Sequence, residues 1–197
     1  MTIWFATGNA HKKGELSAIL PGHTIRIPAD LGIPFDPDET GSTFAENALI
    51  KATALYTLVS ARFPGEPVLA DDSGLCVDAL DGRPGIYSAR YGSTGDKKLE
   101  AHERNALLLQ ELGDNPRRTA RFVCSMALIL GPDRFFIAQE TLEGELIREG
   151  RGSAGFGYDP ILYIPSYSRT VAELSEEEKN LISHRGKAGR AIAKFLN

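Results

Sequence analysis

Two aspartates, Asp71 and Asp72, follow directly on the apolar run Pro67-Val68-Leu69-Ala70, which has the character of a short buried strand. Aspartate is a poor strand residue, and two adjacent carboxylates repel. Burying both without a cation or hydrogen-bond donors is costly. The strand is expected to end there, in one of two ways. Asp72-Ser73-Gly74 is an ordinary turn in which an aspartate caps its own backbone, or the pair is the seat of a metal site. The segment alone fits both readings, and the rest of the chain decides between them.

The chain of 197 residues fits one domain, or one domain with two lobes, and is long enough to bury most of its apolar surface. Hydrophobic content of 42%, charged content of 24% and a net charge of -4 give no reason to expect disorder or a nucleic-acid partner. A small anionic ligand stays open, because a local basic pocket binds phosphate on an acidic protein. The apolar stretch Met1 to Ala6 is too short for a signal peptide, and no run approaches the ~18 residues of a membrane span. A cytoplasmic enzyme is expected. Cys76 and Cys124 sit in apolar strand-like contexts, so buried free thiols are expected rather than a disulfide or a metal pair.

Thr2 to Ala6 reads as a buried strand broken by Thr7-Gly8-Asn9, after which Leu16, Ile19 and Leu20 mark a helix face. Ile25 to Ile27 is a second short strand, followed by a loop from Pro28 to Gly41. Thr43-Phe44-Ala45-Glu46 is a capping box. The helix it opens carries Phe44, Ala48, Ala52, Leu55 and Val59 on one face and runs to about Arg62. Asp81 to Gly85 is turn-rich, and Lys97 to Leu112 reads as a helix with Leu99, Leu107, Leu108 and Leu112 as its apolar positions. Strand-like runs at Ala120 to Leu130, Phe135 to Thr141 and Glu143 to Arg148 suggest an antiparallel meander, broken by Gly131-Pro132-Asp133 and by Glu143-Gly144. A second capping box, Ser175 to Glu178, opens a C-terminal helical region carrying Ile182, Ala188, Ile192 and Phe195. Strands that alternate with helices and then form a meander predict a mixed sheet covered by helices, of the α/β or α+β class.

Chemistry is suggested at several element ends. A Thr-Gly-Asn turn between strand and helix aims backbone N–H groups and the positive end of the helix dipole at one point, with Lys12 in the first turn. That is an anion cradle, unless Asn9 is a simple N-cap and Lys12 a solvated side chain. Thr43, Asn47 and Lys51 recur every four residues as a polar stripe, which is ordinarily the solvent face. Asp38 and Glu39, just before that helix, offer a second carboxylate source for a hard cation such as Mg²⁺. Gly150 to Gly155 formally matches G-x-G-x-x-G, but Pro160 follows closely and blocks the helix a dinucleotide fingerprint must open. The segment reads better as a loop presenting Phe156 or Tyr158 to a flat ligand, with an aromatic packed in the core as the alternative. Ser183-His184-Arg185 offers several donors to an oxygen-rich ligand, or is surface decoration.

Taken together, the chain resembles the inosine/xanthosine triphosphate pyrophosphatases, enzymes that remove non-standard purine triphosphates. The resemblance rests on six segments in order: ATGNAHK from Ala6, ETGSTFAENALIKA from Glu39, ADDSGLCVDAL from Ala70, GRPGIYSARY from Gly82, GFGYDP from Gly155 and EEKNLISHRGKA from Glu177. It implies one domain over residues 1–197, an elongated mixed sheet flanked by helices in two lobes, a central active-site cleft, and a homodimer. It implies Mg²⁺-dependent hydrolysis of ITP, dITP and XTP between the α- and β-phosphates, giving nucleoside monophosphate and pyrophosphate. A related enzyme acting on pyrimidine or modified-base triphosphates is the alternative. By the same resemblance Thr7, Gly8, Asn9, Ala10, His11 and Lys12 hold the triphosphate, and Lys51 faces it. Asp72 is general base or metal ligand, supported by Asp71, and Ser73 touches substrate. The metal's second carboxylate is Glu39 or Asp38, a position where many members carry glutamate. Phe156, Gly157, Tyr158, Asp159, Lys179, His184 and Arg185 surround the nucleotide and its base. By the chemistry of the purine edge, Arg185 and backbone donors are expected to satisfy the 6-oxo acceptor.

Overall fold

The computed structural model describes residues 1–94 and 98–196. The elements follow the mixed order expected. Strand β1 (Thr2–Phe5) leads into helix α1 (Ala10–Ile19), then β2 (Thr24–Arg26), α2 (Phe44–Val59) and β3 (Val68–Val77). Helix α3 (Ala101–Leu112) precedes β4 (Thr119–Gly131) and β5 (Arg134–Leu146), and β6 (Leu162–Ile164), β7 (Arg169–Thr170), α4 (Glu176–Ile182) and α5 (His184–Ala193) complete the described chain. The strands order as β2-β1-β3-β4-β5-β6-β7. β1 pairs in parallel with β2 and β3, whereas β6 pairs antiparallel with β5 and β7, so the sheet is mixed and flanked by helices.

The chain divides into two compact units. The first comprises Met1–Asp72, Cys124–Glu140 and His184–Asn197, the second Ser73–Val123 and Thr141–Ser183. In the first unit one apolar cluster packs Ile3, Phe5, Leu16, Leu69, Met126, Leu128 and Ile192, and another joins Trp4, Ala48, Ala52, Leu55, Val68 and Ile129. The second unit has its own core of Leu75, Leu108, Leu112, Phe122, Leu142, Tyr158, Leu162 and Val171. Each unit thus buries an apolar face of its strands against its own helices and turns.

Several sequence expectations shift. β3 does not end at Ala70 but continues through both aspartates to Val77. A strand tolerates the pair because each carboxylate meets cationic or amide donors, described below. β5 likewise runs unbroken through Glu143-Gly144. A Cβ at Gly144 would lie 2.5 Å from the carbonyl oxygen of Tyr163, so this glycine serves close strand approach rather than a turn. β2 begins one residue before the expected Ile25, and α2 stops at Val59 rather than Arg62. α3 begins at Ala101, where Glu103 closes back on the Glu100 N–H, and Lys97, the expected first residue, lies outside the described residues. The C-terminal helical region is two helices, because Ser183 is extended and interrupts it. Both cysteines are free thiols, Cys124 buried and Cys76 partly so, as expected. No described helix is long and apolar enough to cross a membrane.

Candidate active site

In the first unit, α2 does most of the assembling. Its capping box forms as the sequence indicates: Thr43 Oγ1 accepts from the Glu46 N–H and Glu46 accepts from the Thr43 N–H. Beyond the exposed Thr43 cap, however, the polar stripe faces inward. Asn47 and Lys51 are buried beside Ala48 and Ala52. Lys51 Nζ donates to Glu39 Oε1 at 2.7 Å and to Asp72 Oδ1 at 3.2 Å. Asn47 Nδ2 donates to Asp72 Oδ2 at 3.3 Å, and its Oδ1 accepts from the Gly41 N–H at 2.8 Å. Both oxygens of Asp72 are therefore met from successive turns of one helix. Burial pushes the Asp72 carboxyl above its ordinary value, with Glu39 adding to the rise and Lys51 and Lys12 pulling back. Burial alone would lower the Lys51 ammonium, but the carboxylates of Asp72, Asp71 and Glu39 raise it.

Asp71 looks to different partners. Its Oδ1 accepts from Lys12 Nζ at 3.0 Å, and its Oδ2 from Arg185 Nε and Nη2 at 3.2 and 2.9 Å. Arg185, 1% exposed, also donates through Nη1 to Glu15 Oε2 at 2.5 Å. Burial acts to raise the Asp71 carboxyl, and the cations of Lys12, Arg185 and Lys51 overcome it and hold the group well below the usual carboxylate range. Cys124, whose Sγ lies 3.9 Å from Asp71 Oδ2, is pushed up to about 12 by burial and by that charge. The thiol is thus protonated and inert.

At the start of α1, Asn9 is an N-cap whose Oδ1 accepts from the His11 and Lys12 N–H groups at 2.9 and 3.4 Å, and the Asn9 N–H donates to Thr7 Oγ1 at 3.1 Å. Thr7 is buried, while Gly8, Ala10 and His11 are exposed at this end of the helix. His184 is buried beside Arg185 at the start of α5. The His-Arg pair is therefore interior, not decoration.

In the second unit, Lys179 on α4 donates to Asp159 Oδ2 at 2.9 Å, and its ammonium stands 4.8 Å from the centroid of the Phe156 ring. The same Asp159 oxygen accepts from the Phe156 N–H at 2.8 Å, which closes the turn through Gly157. Tyr158 is 5% exposed and its hydroxyl donates to the Ser88 carbonyl at 2.9 Å. Of the two aromatics expected as a platform, Tyr158 is core and Phe156 is the partly accessible ring, backed by a cation. Ser73, partly buried, follows Asp72 on β3.

The four carboxylates named for a metal thus separate. Asp71 is engaged by Lys12 and Arg185, Asp38 is exposed, and Glu39 and Asp72 share one ammonium. Among the described residues no group of three or more His, Cys, Asp or Glu side chains stands ready to hold a metal ion. Glu39 and Asp72 nonetheless already converge on a cation, and both offer oxygen. Two carboxylates completed by phosphate oxygens and water suit a Mg²⁺-like ion. No local pattern singles out Glu15 or Gly41, and Asn47 stands out only as part of a stripe. Its spacing, one turn from both Thr43 and Lys51 beside an apolar face, was the available signal.

The chain is similar to known proteins along its length. The Ham1 family model matches residues 3–195. The chain is 52% identical over 196 residues to the dITP/XTP pyrophosphatase of Treponema denticola, covering 100% of this chain and 98% of that protein. It is 47% identical over 202 residues to the dITP/XTP pyrophosphatase of Halalkalibacterium halodurans, covering both chains fully, at 100%. Its fold is similar to that of the Staphylococcus aureus Ham1 protein, with a TM-score of 0.85 at 40% identity over 100% of this chain and 98% of that one. Matched along almost its entire length by the family model, and end to end by these relatives, the chain belongs to the Ham1 family.

Proposed function

We propose that the protein is a nucleoside triphosphate pyrophosphohydrolase that cleaves ITP, dITP and XTP to the nucleoside monophosphate and pyrophosphate. The observation that carries this reading is Asp72: a buried carboxylate raised above its ordinary value, held through both oxygens by Asn47 and Lys51, with Glu39 across the same ammonium. The names borne by the relatives support the substrate class.

In this reading Asp72 accepts the proton of the attacking water. The water oxygen bonds to phosphorus, the phosphoanhydride P–O bond breaks, and pyrophosphate leaves with the electron pair. A carboxyl raised by burial is a stronger base than a free one, and Lys51 keeps it ionised. The phosphate oxygens fall to Lys12, Lys51 and the Thr7-to-Lys12 turn, where Asn9 already caps the His11 and Lys12 N–H groups and the ammonium groups and the helix dipole oppose negative charge. Glu39 and Asp72 would hold Mg²⁺, with Asp38 left to solvent. When bound, that ion supplies Lewis-acid neutralisation of phosphate charge. Asp71 is not a metal ligand in this reading: it anchors Lys12 and Arg185. Ser73 touches substrate, and Phe156, Gly157, Asp159, Lys179 and His184 receive the nucleotide, the Phe156 face taking the base. The enzyme acts in the cytoplasm as a homodimer, with neither membrane nor nucleic acid as partner.

The test is Asp72→Asn assayed for pyrophosphate release from dITP, with wild type in Mg²⁺ and in chelator as reference. Turnover should fall at least ~10²-fold in the variant with the circular dichroism spectrum unchanged, and chelator should silence the wild type. Near wild-type turnover in the variant at saturating Mg²⁺ would overturn the reading.

A further inference from the structure

We infer that Asn47 is a positioning residue whose single amide ties the Glu39 loop to Asp72 and so sets the spacing of the two carboxylates. The inference rests on the role proposed above for Asp72. Asn47 is 0% exposed, and each end of its side chain has one partner of fixed polarity. The Gly41 N–H only donates and the Asp72 carboxylate only accepts, so the amide orientation follows from the network: Oδ1 toward Gly41 at 2.8 Å, Nδ2 toward Asp72 Oδ2 at 3.3 Å. Gly41 lies two residues beyond Glu39 in the chain. A Cβ at position 41 would stand 2.6 Å from Asn47 Oδ1 and 2.7 Å from Glu46 Cβ. The loop approaches α2 this closely only because position 41 has no side chain.

One turn further along α2, Lys51 repeats the pattern with charge, joining Glu39 Oε1 to Asp72 Oδ1. The two crosslinks differ in what they can do when a cation arrives. The Lys51 ammonium occupies the space between the carboxylates and must yield some of it. The Asn47 amide grips Asp72 by the other oxygen, and the loop by backbone, so it can stay in place throughout. It therefore fixes the rotamer of Asp72 and the reach of Glu39 independently of what lies between them. Productive geometry in such sites is held to fractions of an ångström by buried groups of this kind.

A helix-stabilising role is the competing explanation, and the two separate experimentally. Asn47→Asp keeps an acceptor for Gly41 but replaces the donor to Asp72 with a carboxylate. Asn47→Ala removes both bonds. Each is compared with wild type, with Asp72→Asn and with the double variants. The readouts are kcat and KM for dITP at saturating Mg²⁺, and Mn²⁺ affinity in the presence of α,β-methylene-dITP, followed by the electron paramagnetic resonance of the free ion. Folding of each variant is checked by thermal melting.

Both Asn47 variants should lose about 10- to 100-fold in kcat, with KM moving less than about threefold, and should bind Mn²⁺ about tenfold more weakly. In the Asp72→Asn background either change should add little to these losses. Asn47→Asp that folds with wild-type kcat and Mn²⁺ affinity would overturn the inference, as would losses that simply multiply with those of Asp72→Asn. Should Asn47→Ala not fold, Asn47→Asp alone decides. A fully active Asp72→Asn, or wild type that binds no Mn²⁺ with the analogue, instead overturns the reading of the site on which the inference stands.

Discussion

Arg185 illustrates how far a residue's role depends on its neighbours. A buried guanidinium has no counterpart in water to compensate its desolvation, so it must find carboxylates, and this one finds two, Asp71 and Glu15. Its contacts in the first unit are those of an anchor joining β3, α1 and α5. The sequence offered it as the donor that reads a purine 6-oxo group, and a guanidinium committed to Asp71 and Glu15 is poorly free for that. Truncation should therefore act on stability first. Arg185→Ala takes from Asp71 its guanidinium partner, and breaking a buried pair in this way costs about 3–5 kcal/mol, a fall in Tm on the order of 10 °C for a chain of this size. The ITP-to-ATP preference of whatever protein remains folded should be unchanged. A variant that melts like wild type but loses its base preference would return Arg185 to the base. The sequence could not decide this, because Glu15 lies 170 positions from Arg185 and no local pattern links them.

At the level of elements, capping boxes were the most legible features. Those at Thr43 and Ser175 form where their residue types predict, because a cap is satisfied within three residues and needs nothing from the rest of the fold. The fates of β3 and β5 were illegible for the converse reason. An Asp pair and a Glu-Gly step read as breaks until the partners across the fold are known: Lys12, Lys51 and Arg185 for β3, the Tyr163 carbonyl for β5. The cap of α4 also makes a pH prediction. Glu178 accepts from Arg169 Nη2 and Nη1 at 2.6 and 3.0 Å and from the Ser175 N–H at 2.9 Å. The Arg169 bonds, then the backbone bond, hold its carboxyl at about 2 against an ordinary 4.5. A carboxylate lowered on folding stabilises the native state fully above its unfolded value and loses that contribution as pH falls from 4.5 toward 2. A carboxyl NMR titration should find Glu178 near 2 in wild type and raised toward its ordinary value in Arg169→Gln, where the Ser175 bond remains. A wild-type midpoint at the ordinary value would refute the pairing in solution.

For the whole molecule, composition and periodicity indicated a mixed helix-covered sheet, and the order of six segments indicated the family, whereas division of the chain into two discontinuous units has no local signature. The unit boundary falls inside β3, between Asp72 and Ser73, where a sequence shows only neighbouring residues of one strand. Substrate choice is expected to favour 6-oxo purines. Hypoxanthine and xanthine present an acceptor at position 6, while adenine presents a donor. A desolvated base pocket furnished with donors for that acceptor would leave them unpaired against adenine, at about 1–3 kcal/mol each. Measured as kcat/KM, ITP, dITP and XTP should therefore exceed ATP by on the order of 10²-fold or more, and dITP should match ITP, since the residues named address phosphates and base rather than the sugar. Equal wild-type values for ITP and ATP would refute the specificity.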